Sequence, residues 1–369
     1  MRLLWLCLLT LSLWAGEPRV VFLSLDGFGA QQLDPVLTPR LWALSRQGWR
    51  GESVPPRPST TFTGHATLAT GCLAPAHGIV GNAFVDPRLG WVGHSAQASL
   101  LEREPLWIAA TRSGVRTAVY HWPCCDSPWR GERAWRQEGF RSGTTEAEAM
   151  AFVDHALDEG ARLVMAYFLG SDEAGHLHGP GSTPHRTRLK ALDDRLAPWI
   201  AGLAKRPDLR IVVTADHGMA RVTRKFSLPD LLKGIPGRAW AHGRSATLRL
   251  EDPGQVPQAI QRLQAAGLQA WPSAQRLDHP RAGHVLIQAP AGGWISTATT
   301  LAEGVKEALA RKGAHGSLED EPELRAALFI LGAGQGDLAT VPMTRIAPTV
   351  ASWLGIRWQQ TPDGTPLKP

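Results

Sequence analysis

The chain has 369 residues, 43% of them hydrophobic, enough to bury a large core in one α/β domain with an insertion or in two ordinary domains. Its 39 Lys and Arg against 33 Asp and Glu give a net charge of +6 with no run of like charges. That balance excludes a disordered chain and a nucleic-acid groove of clustered basic residues, although a mild positive field helps gather an anionic substrate.

Met1 to Gly16 (MRLLWLCLLTLSLWAG) carries one basic residue, an apolar run from Leu3 to Trp14 and then small residues. This pattern predicts a secretory signal, and the run is far shorter than the ~20 residues of a spanning helix. The mature chain is therefore expected to be exported, periplasmic or extracellular, with no stable membrane span. Removal of the leader takes Cys7 and leaves Cys72, Cys124 and Cys125, which allow at most one internal disulfide and fit no zinc cage. A bridge from Cys72 to one of the adjacent pair and three buried thiols are both compatible with this spacing.

RVVFLSLDG, from Arg19, predicts a buried strand that stops at Asp26. PSTTFTGHATLATG, Pro58 to Gly71, sets a Ser/Thr cluster ahead of an apolar run, the composition of a helix start. RTAVYHWP (from Arg116), RLVMAYFLGSD (from Arg162), LRIVVTADHG (from Leu209) and ALFILGAG (from Ala327) read as further buried strands. Helical patterns span Thr145 to Gly160 and His185 to Arg206. From Gly237 to Gly293 the texture changes to ATLRLEDP, PQAIQRLQAAG and HVLIQAP. A small α+β insertion at 237–293 is expected there, within a core of 17–236 and 294–369. Strand and helix alternate in that core, which predicts a doubly wound α/β fold on a largely parallel sheet.

Asp26, Asp172 and Asp216 each stand where a strand-like run ends, and open α/β sheets build their sites at the carboxyl ends of parallel strands. One acid in such a place is usually a turn former. Here there are three, two of them with histidines at close spacing. Asp172 and His176 lie four residues apart, on one side of a helical turn. Asp216 and His217 are adjacent, and His315 sits between glycines in GAHGS. Mixed carboxylate and imidazole ligation suits zinc or another borderline divalent ion. Three groups of each kind suffice for two sites with open positions, which are the catalytic kind. Such a pair polarises a phosphoryl group and lowers the pKa of a nucleophilic hydroxyl. A threonine at a helix N-terminus, where the helix favours negative charge, would supply that hydroxyl, and chemistry alone does not separate Thr60 from Thr61.

DGFG at Asp26, TFTGHATLATG at Thr61, HGIVGN ending at Asn82, Asp172 with His176, DHGM at Asp216 and the HG of His315 occur in one order over nearly the whole mature chain. Together they resemble the nucleotide pyrophosphatase/phosphodiesterase branch of the alkaline phosphatase superfamily. The resemblance implies a three-layer αβα alkaline-phosphatase-like core and two Zn²⁺. It implies Thr61, directly before the aromatic Phe62, as the nucleophile. One metal would be held by Asp172, His176 and His315, the other by Asp26, Asp216, His217 and the Thr61 oxygen. Asn82 and the Thr61 amide would stabilise the non-bridging phosphoryl oxygen. Phe62 and Trp122 would stack a base or line an acyl pocket, or else pack in the core. HWPCCDSP resembles the family's Trp-Pro-Gly loop with Cys124 in place of the glycine, so the leaving group stays open.

The expected activity is an exported two-zinc phosphodiesterase or nucleotide pyrophosphatase that works through a phosphothreonine intermediate on a small-molecule phosphodiester, a nucleotide or a phospholipid head group. A phosphomonoesterase or phosphonate hydrolase of the same superfamily would keep the metals and add cations for a dianionic phosphate, and no Lys-x-Arg pair stands near Trp122. A sulfatase would need a Cys/Ser-x-Pro-x-Arg context that Thr61 lacks. An inert metal-binding relative is the reading from a different class.

Overall fold

A computed structural model describes residues 17–368, so the expected leader lies outside the described residues. In chain order the elements that place the site begin with β1 (Arg19–Leu25), β2 (Trp49–Val54), α1 (Thr61–Thr70), β3 (Thr117–Tyr120) and β4 (Arg136–Glu138). Next come α2 (Glu146–Asp158), β5 (Leu163–Phe168), α3 (Asp172–His178), α4 (Thr183–Leu203) and β6 (Leu209–Thr214). A second group follows: β7 (Gly237–Ala241), β8 (Ser245–Leu250), α5 (Val256–Ala265), β9 (Gln269–Pro272) and β10 (Val285–Gln288). The chain closes with α6 (Leu301–Ala310), β11 (Ala326–Leu331) and α7 (Ile346–Leu354).

Strand β1 is buried from Val20 onward and β5 along its whole length, as strands covered on both faces must be. Helix α2 starts on a capping box in which Thr145 and Glu148 satisfy each other's backbone amides. The main sheet, nine-stranded among the described residues, runs Gly336–Asp337, β2, β11, β6, β1, β5, β3, β4, with Val341–Pro342 also paired to β2. The stretch from β6 to β4 is parallel throughout. Strand β11, expected to join this parallel set, instead runs antiparallel to both β6 and β2. Apolar periodicity marks a buried strand without giving its direction, so the sequence was silent on this point.

Residues 237–288 form a separate antiparallel sheet in the order β7, β8, β10, β9, with α5 against β9. It has its own apolar cluster around Leu248, Leu263 and Ile287. Contacts at both ends of the unit fasten it to the rest, among them Gln288 Oε1, which accepts the Leu318 N–H at 2.7 Å. Buried Arg281 donates Nε–H to Asp86 Oδ2 at 2.7 Å and Nη1–H to the carbonyls of Gly78 and Leu100 at 2.7 and 2.9 Å. At the β7–β8 hairpin tip, Arg244 N–H donates to His315 O at 2.8 Å. The backbone approach is so close that a Cβ on Gly316, whose φ is +80°, would lie 1.7 Å from His242 O.

Candidate active site

Strands β6, β1 and β5 are neighbours and run in one direction, with Ser24 opposite Thr214 and Leu25 opposite Phe168. They therefore end at one edge of the sheet, and the residues just past those ends, Asp216, Asp26 and Asp172, converge there. Asp172 opens α3, which brings His176 one turn on, with Nε2 at 3.4 Å from Asp172 Oδ1. His315 Nε2 lies 3.6 Å from the same oxygen. His217 Nε2 lies 3.0 Å from Asp216 Oδ2 and 3.7 Å from Asp26 Oδ1.

The three imidazoles are oriented alike. Nδ1 of His176 contacts Gly313 O at 2.9 Å, that of His217 contacts Gly218 O at 2.9 Å, and that of His315 contacts Ser59 O at 3.0 Å. A carbonyl only accepts, so Nδ1 carries the hydrogen and each Nε2 presents a lone pair to the cluster. Those lone pairs face other acceptors: His176 Nε2 is 3.1 Å from His315 Nε2, and His217 Nε2 faces Asp216. Asp26 Oδ1, Asp172 Oδ1 and Asp216 Oδ2 are buried with no hydrogen-bond partner. Buried acceptors aimed at one another repel, and a cation shared among them would relieve that cost. The donors fall into two groups compact enough for one ion each, Asp172/His176/His315 and Asp26/Asp172/His217, so these residues fit metal ligation. Crowding is visible in protonation as well. Burial, followed by the Asp216 and Asp172 carboxylates, holds the Asp26 carboxyl well above its ordinary range. Burial, followed by His217 and His176, holds His315 well below.

Helix α1 carries the candidate nucleophile to this edge. Thr60 is its extended N-cap and Thr61 its first helical residue. The helix abuts the Asp216 turn, where a Cβ on Gly64 would meet Asp216 Cβ and O at 2.8 Å. Thr60 is fully buried, with its hydroxyl bonded to Thr63 Oγ1 at 2.9 Å. Thr61 lines the cleft with Oγ1 3.4 Å from His217 Nε2. Asn82 Oδ1 accepts the Phe62 N–H at 3.0 Å, which leaves its amide NH₂ as the donor at the cleft wall. The free amides of the helix's first turn point the same way.

A second layer holds these groups. Tyr167 donates its hydroxyl to Asp26 Oδ2 at 2.5 Å, and Gly27 N–H donates to Asp216 Oδ1 at 3.2 Å. His65 bonds Thr61 O through Nδ1 at 2.7 Å and Ser24 Oγ through Nε2 at 2.9 Å. His77 bonds Thr67 and the Ile79 amide away from the cleft, and His178 is exposed. Cys72, Cys124 and Cys125 are buried free thiols.

The cleft in front of the cluster has a volume of about 550 Å³. Phe62 lines it. Trp122, expected beside Phe62, does not: it is fully buried, 5.0 Å from the Phe22 ring, and donates its indole N–H to His65 O. Sequence reasoning missed Tyr167, His94, His121, His242, Trp294 and Arg311, which also line the cleft. Burial, then Arg141, brings His121 down to about 4. Burial, then His94, does the same to His242. Both therefore enter the wall as neutral rings, and neither nitrogen of His242 has a hydrogen-bond partner. Only a tally of unassigned histidines and aromatics after strands could have flagged them.

Residues 20–318 match the family model for type I phosphodiesterase/nucleotide pyrophosphatase. Among curated proteins, the chain is 33% identical over 219 residues to an uncharacterized pyrophosphatase/phosphodiesterase of Schizosaccharomyces pombe, covering 55% of this chain and 45% of that one. It is 30% identical over 230 residues to ectonucleotide pyrophosphatase/phosphodiesterase family member 7 of Mus musculus, covering 57% and 52%. The chain thus spans about half the length of the curated relatives it matches. Human ectonucleotide pyrophosphatase/phosphodiesterase 5 superposes with a TM-score of 0.84 at 20% identity, over 94% of this chain and 97% of that one, a likeness of fold. An inactive threonine-to-alanine variant of the murine protein, solved in complex with AMP, superposes equally well. A family match that runs from the first core strand past His315 leaves one assignment: the chain belongs to the type I phosphodiesterase/nucleotide pyrophosphatase family of the alkaline phosphatase superfamily.

Proposed function

We propose that the protein is an exported, two-zinc phosphodiesterase or nucleotide pyrophosphatase that acts through a phosphothreonine intermediate. The observation that carries this reading is the position of Thr61, at a helix N-terminus, with its hydroxyl 3.4 Å from His217 Nε2 and facing buried acceptors that lack hydrogen-bond partners. Asp172, His176 and His315 would hold one ion, and Asp26, Asp216, His217 and Thr61 Oγ1 the other. When bound, the ions lower the pKa of hydroxyl nucleophiles and draw charge from the phosphoryl oxygens. Thr61 Oγ forms a bond to phosphorus as the bond to the leaving oxygen breaks, and water then cleaves the phosphothreonine and restores the hydroxyl. The Asn82 NH₂ and the Thr61 amide donate to the non-bridging oxygen as its charge grows. Tyr167 and the backbone carbonyls behind each histidine keep the ligands aimed through both steps.

The AMP complex of the murine structural relative supports a nucleotide as one occupant of the cleft. Phe62, Phe140 and Trp294 offer aromatic or apolar surface for a leaving group. A second reading, phosphomonoesterase, draws support from the exposed Arg311 at the cleft wall, a cation that could meet a dianionic phosphate. Rates on an aryl phosphodiester and the matching monoester, measured side by side, decide between them. A higher kcat/KM for the diester is expected, and the reverse order would transfer the assignment to the monoesterase.

A further inference from the structure

Ser59, two residues before Thr61, bonds the loop that carries His315 through each of its polar atoms. Its carbonyl accepts both His315 Nδ1–H at 3.0 Å and the Gly316 N–H at 2.9 Å. Its hydroxyl oxygen accepts the Ser317 N–H at 2.9 Å, and its own N–H donates to Ser317 O at 3.0 Å. Ser59 and Ser317 are both buried. The segment that delivers the candidate nucleophile and the loop that delivers a candidate ligand are thus one hydrogen-bonded unit. The His315 ring in turn stacks on the His217 ring with centroids 3.6 Å apart, and His217 Nε2 is the atom 3.4 Å from Thr61 Oγ1.

A chain of charges grips this unit from the smaller sheet. Ser317 donates its hydroxyl to Glu321 Oε1 at 2.5 Å, and Glu321 Oε2 pairs with Arg244 Nη1 at 2.6 Å. The Arg244 side chain is only 4% exposed, and its Nη2–H donates to Pro290 O at 3.0 Å. The backbone of Arg244 is held as firmly, its N–H donating to His315 O at 2.8 Å and its carbonyl accepting the Ala289 N–H at 2.9 Å. A hydroxyl bonded to a carboxylate is charge-assisted, so the Ser317 rotamer is fixed by Glu321 and Glu321 by Arg244. A buried ion pair is a weak source of stability, because apolar side chains of similar volume often serve as well or better. Ser59, Ser317, Glu321 and Arg244 all stand outside the set of residues that line the cleft, so they act on a reaction there only through where they put other groups.

We propose that Arg244 is a positioning residue: through Glu321 and Ser317 it holds Ser59 against the His315 loop, and so sets the Thr61 hydroxyl relative to the imidazole cluster. The link between the two segments stands on the hydrogen bonds alone, and its effect on rate rests on the phosphodiesterase reading.

The test compares Ser317→Ala, Arg244→Met and Arg244→Met/Glu321→Met in the full chain, with three readouts: Tm, kinetics on an aryl phosphodiester at saturating zinc, and hydrogen exchange of the metal-free protein. Arg244→Met leaves Glu321 buried and unpaired and should lower both Tm and kcat. The double variant replaces the ion pair with apolar side chains of similar length and should recover most of the Tm. It still leaves the Ser317 hydroxyl without its acceptor, so kcat should stay about 10–100-fold below wild type, with KM unchanged. Ser317→Ala should show the same split. In both of these variants the peptides holding Ser59 and Gly316–Ser317 should exchange about tenfold faster or more, while those of β1 and β6 keep their wild-type rates. Recovery of kcat together with Tm in the double variant would overturn the proposal, because the ion pair would then act through stability alone. So would wild-type kcat in Ser317→Ala, or unchanged exchange at Ser59, and either result leaves the phosphodiesterase reading intact. If the wild type cleaved no diester but exchange at Ser59 still rose in the variants, the enzymatic reading would fail and the link from Arg244 to Ser59 would stand.

Discussion

Nε2 of His176 lies 3.1 Å from Nε2 of His315, and each ring has already committed its other nitrogen to a backbone carbonyl. Two lone pairs at that distance repel unless a cation lies between them, and Asp172 Oδ1 adds a third acceptor at 3.4 and 3.6 Å. Burial lowers the pKa of both imidazoles, so neither readily takes up a proton to relieve that repulsion.

Removal of metal should therefore cost both activity and stability. Dialysis against a strong chelator is expected to abolish diester hydrolysis and lower Tm by several degrees, and added Zn²⁺ should restore both. Elemental analysis of the purified protein should find close to two equivalents. Full activity in demonstrably metal-free protein would end the two-zinc reading.

Thr61→Ala should reduce turnover by about 10³-fold or more while zinc stays bound, because Asp26, Asp216 and His217 remain. Thr60→Ala loses only the bond to Thr63, about 1 kcal/mol of stability, and should keep most of the rate. Thr61→Ser should retain part of it, since a primary hydroxyl attacks but lacks the methyl group that restricts its rotamers. The opposite ranking of the two alanine variants would move the nucleophile to Thr60.

Tyr167→Phe removes the donor to Asp26 Oδ2 and nothing that reaches the cluster directly. Zinc affinity is expected to fall by about 10–100-fold, with kcat recovered at saturating zinc. A loss of kcat that no amount of zinc repairs would show that Tyr167 acts on substrate instead.

Arg281→Ala strands the Asp86 carboxylate and two carbonyls in the interior, at a cost of about 3–5 kcal/mol. Burial pushes Asp86 up, and the Arg88 and Leu89 amides together with Arg281 more than offset it, leaving the carboxyl below its ordinary value. A lowered folded-state pKa contributes stability above the unfolded value of about 3.9, and that stability is lost as pH falls through the folded one. The gap between wild type and variant in urea melts should hence be widest near neutrality and narrow below about pH 4. A gap independent of pH would remove Asp86 from the account.

Much of this site was legible because its parts obey local rules. Asp26, Asp172 and Asp216 were visible as acids ending apolar runs, and His176 as a residue one helical turn beyond Asp172. The direction of β11 was not visible, since a run such as AALFIL looks the same in either orientation. Tyr167 was hidden because an aromatic residue in a buried strand reads as core, and its hydroxyl finds Asp26 only through pairing of β5 with β1. Trp122 misled in the other direction: a motif places a residue in the chain, while burial depends on what packs over it. His242 and Arg311 belong to segments whose tertiary placement no local pattern states.

The bond from Arg244 N–H to His315 O ties the smaller sheet's hairpin to the loop that presents one imidazole of the cluster. Residues 237–288 are thus part of the scaffold on which the imidazole rests. Trimming the chain to a minimal catalytic core by excising that segment would leave the His315 carbonyl without its donor and open the backbone packing at Gly316. Loop exchange between relatives faces the same restriction, because a transplanted hairpin must reproduce the tip from His242 to Arg244 at atomic fit before any difference in its outer strands can matter.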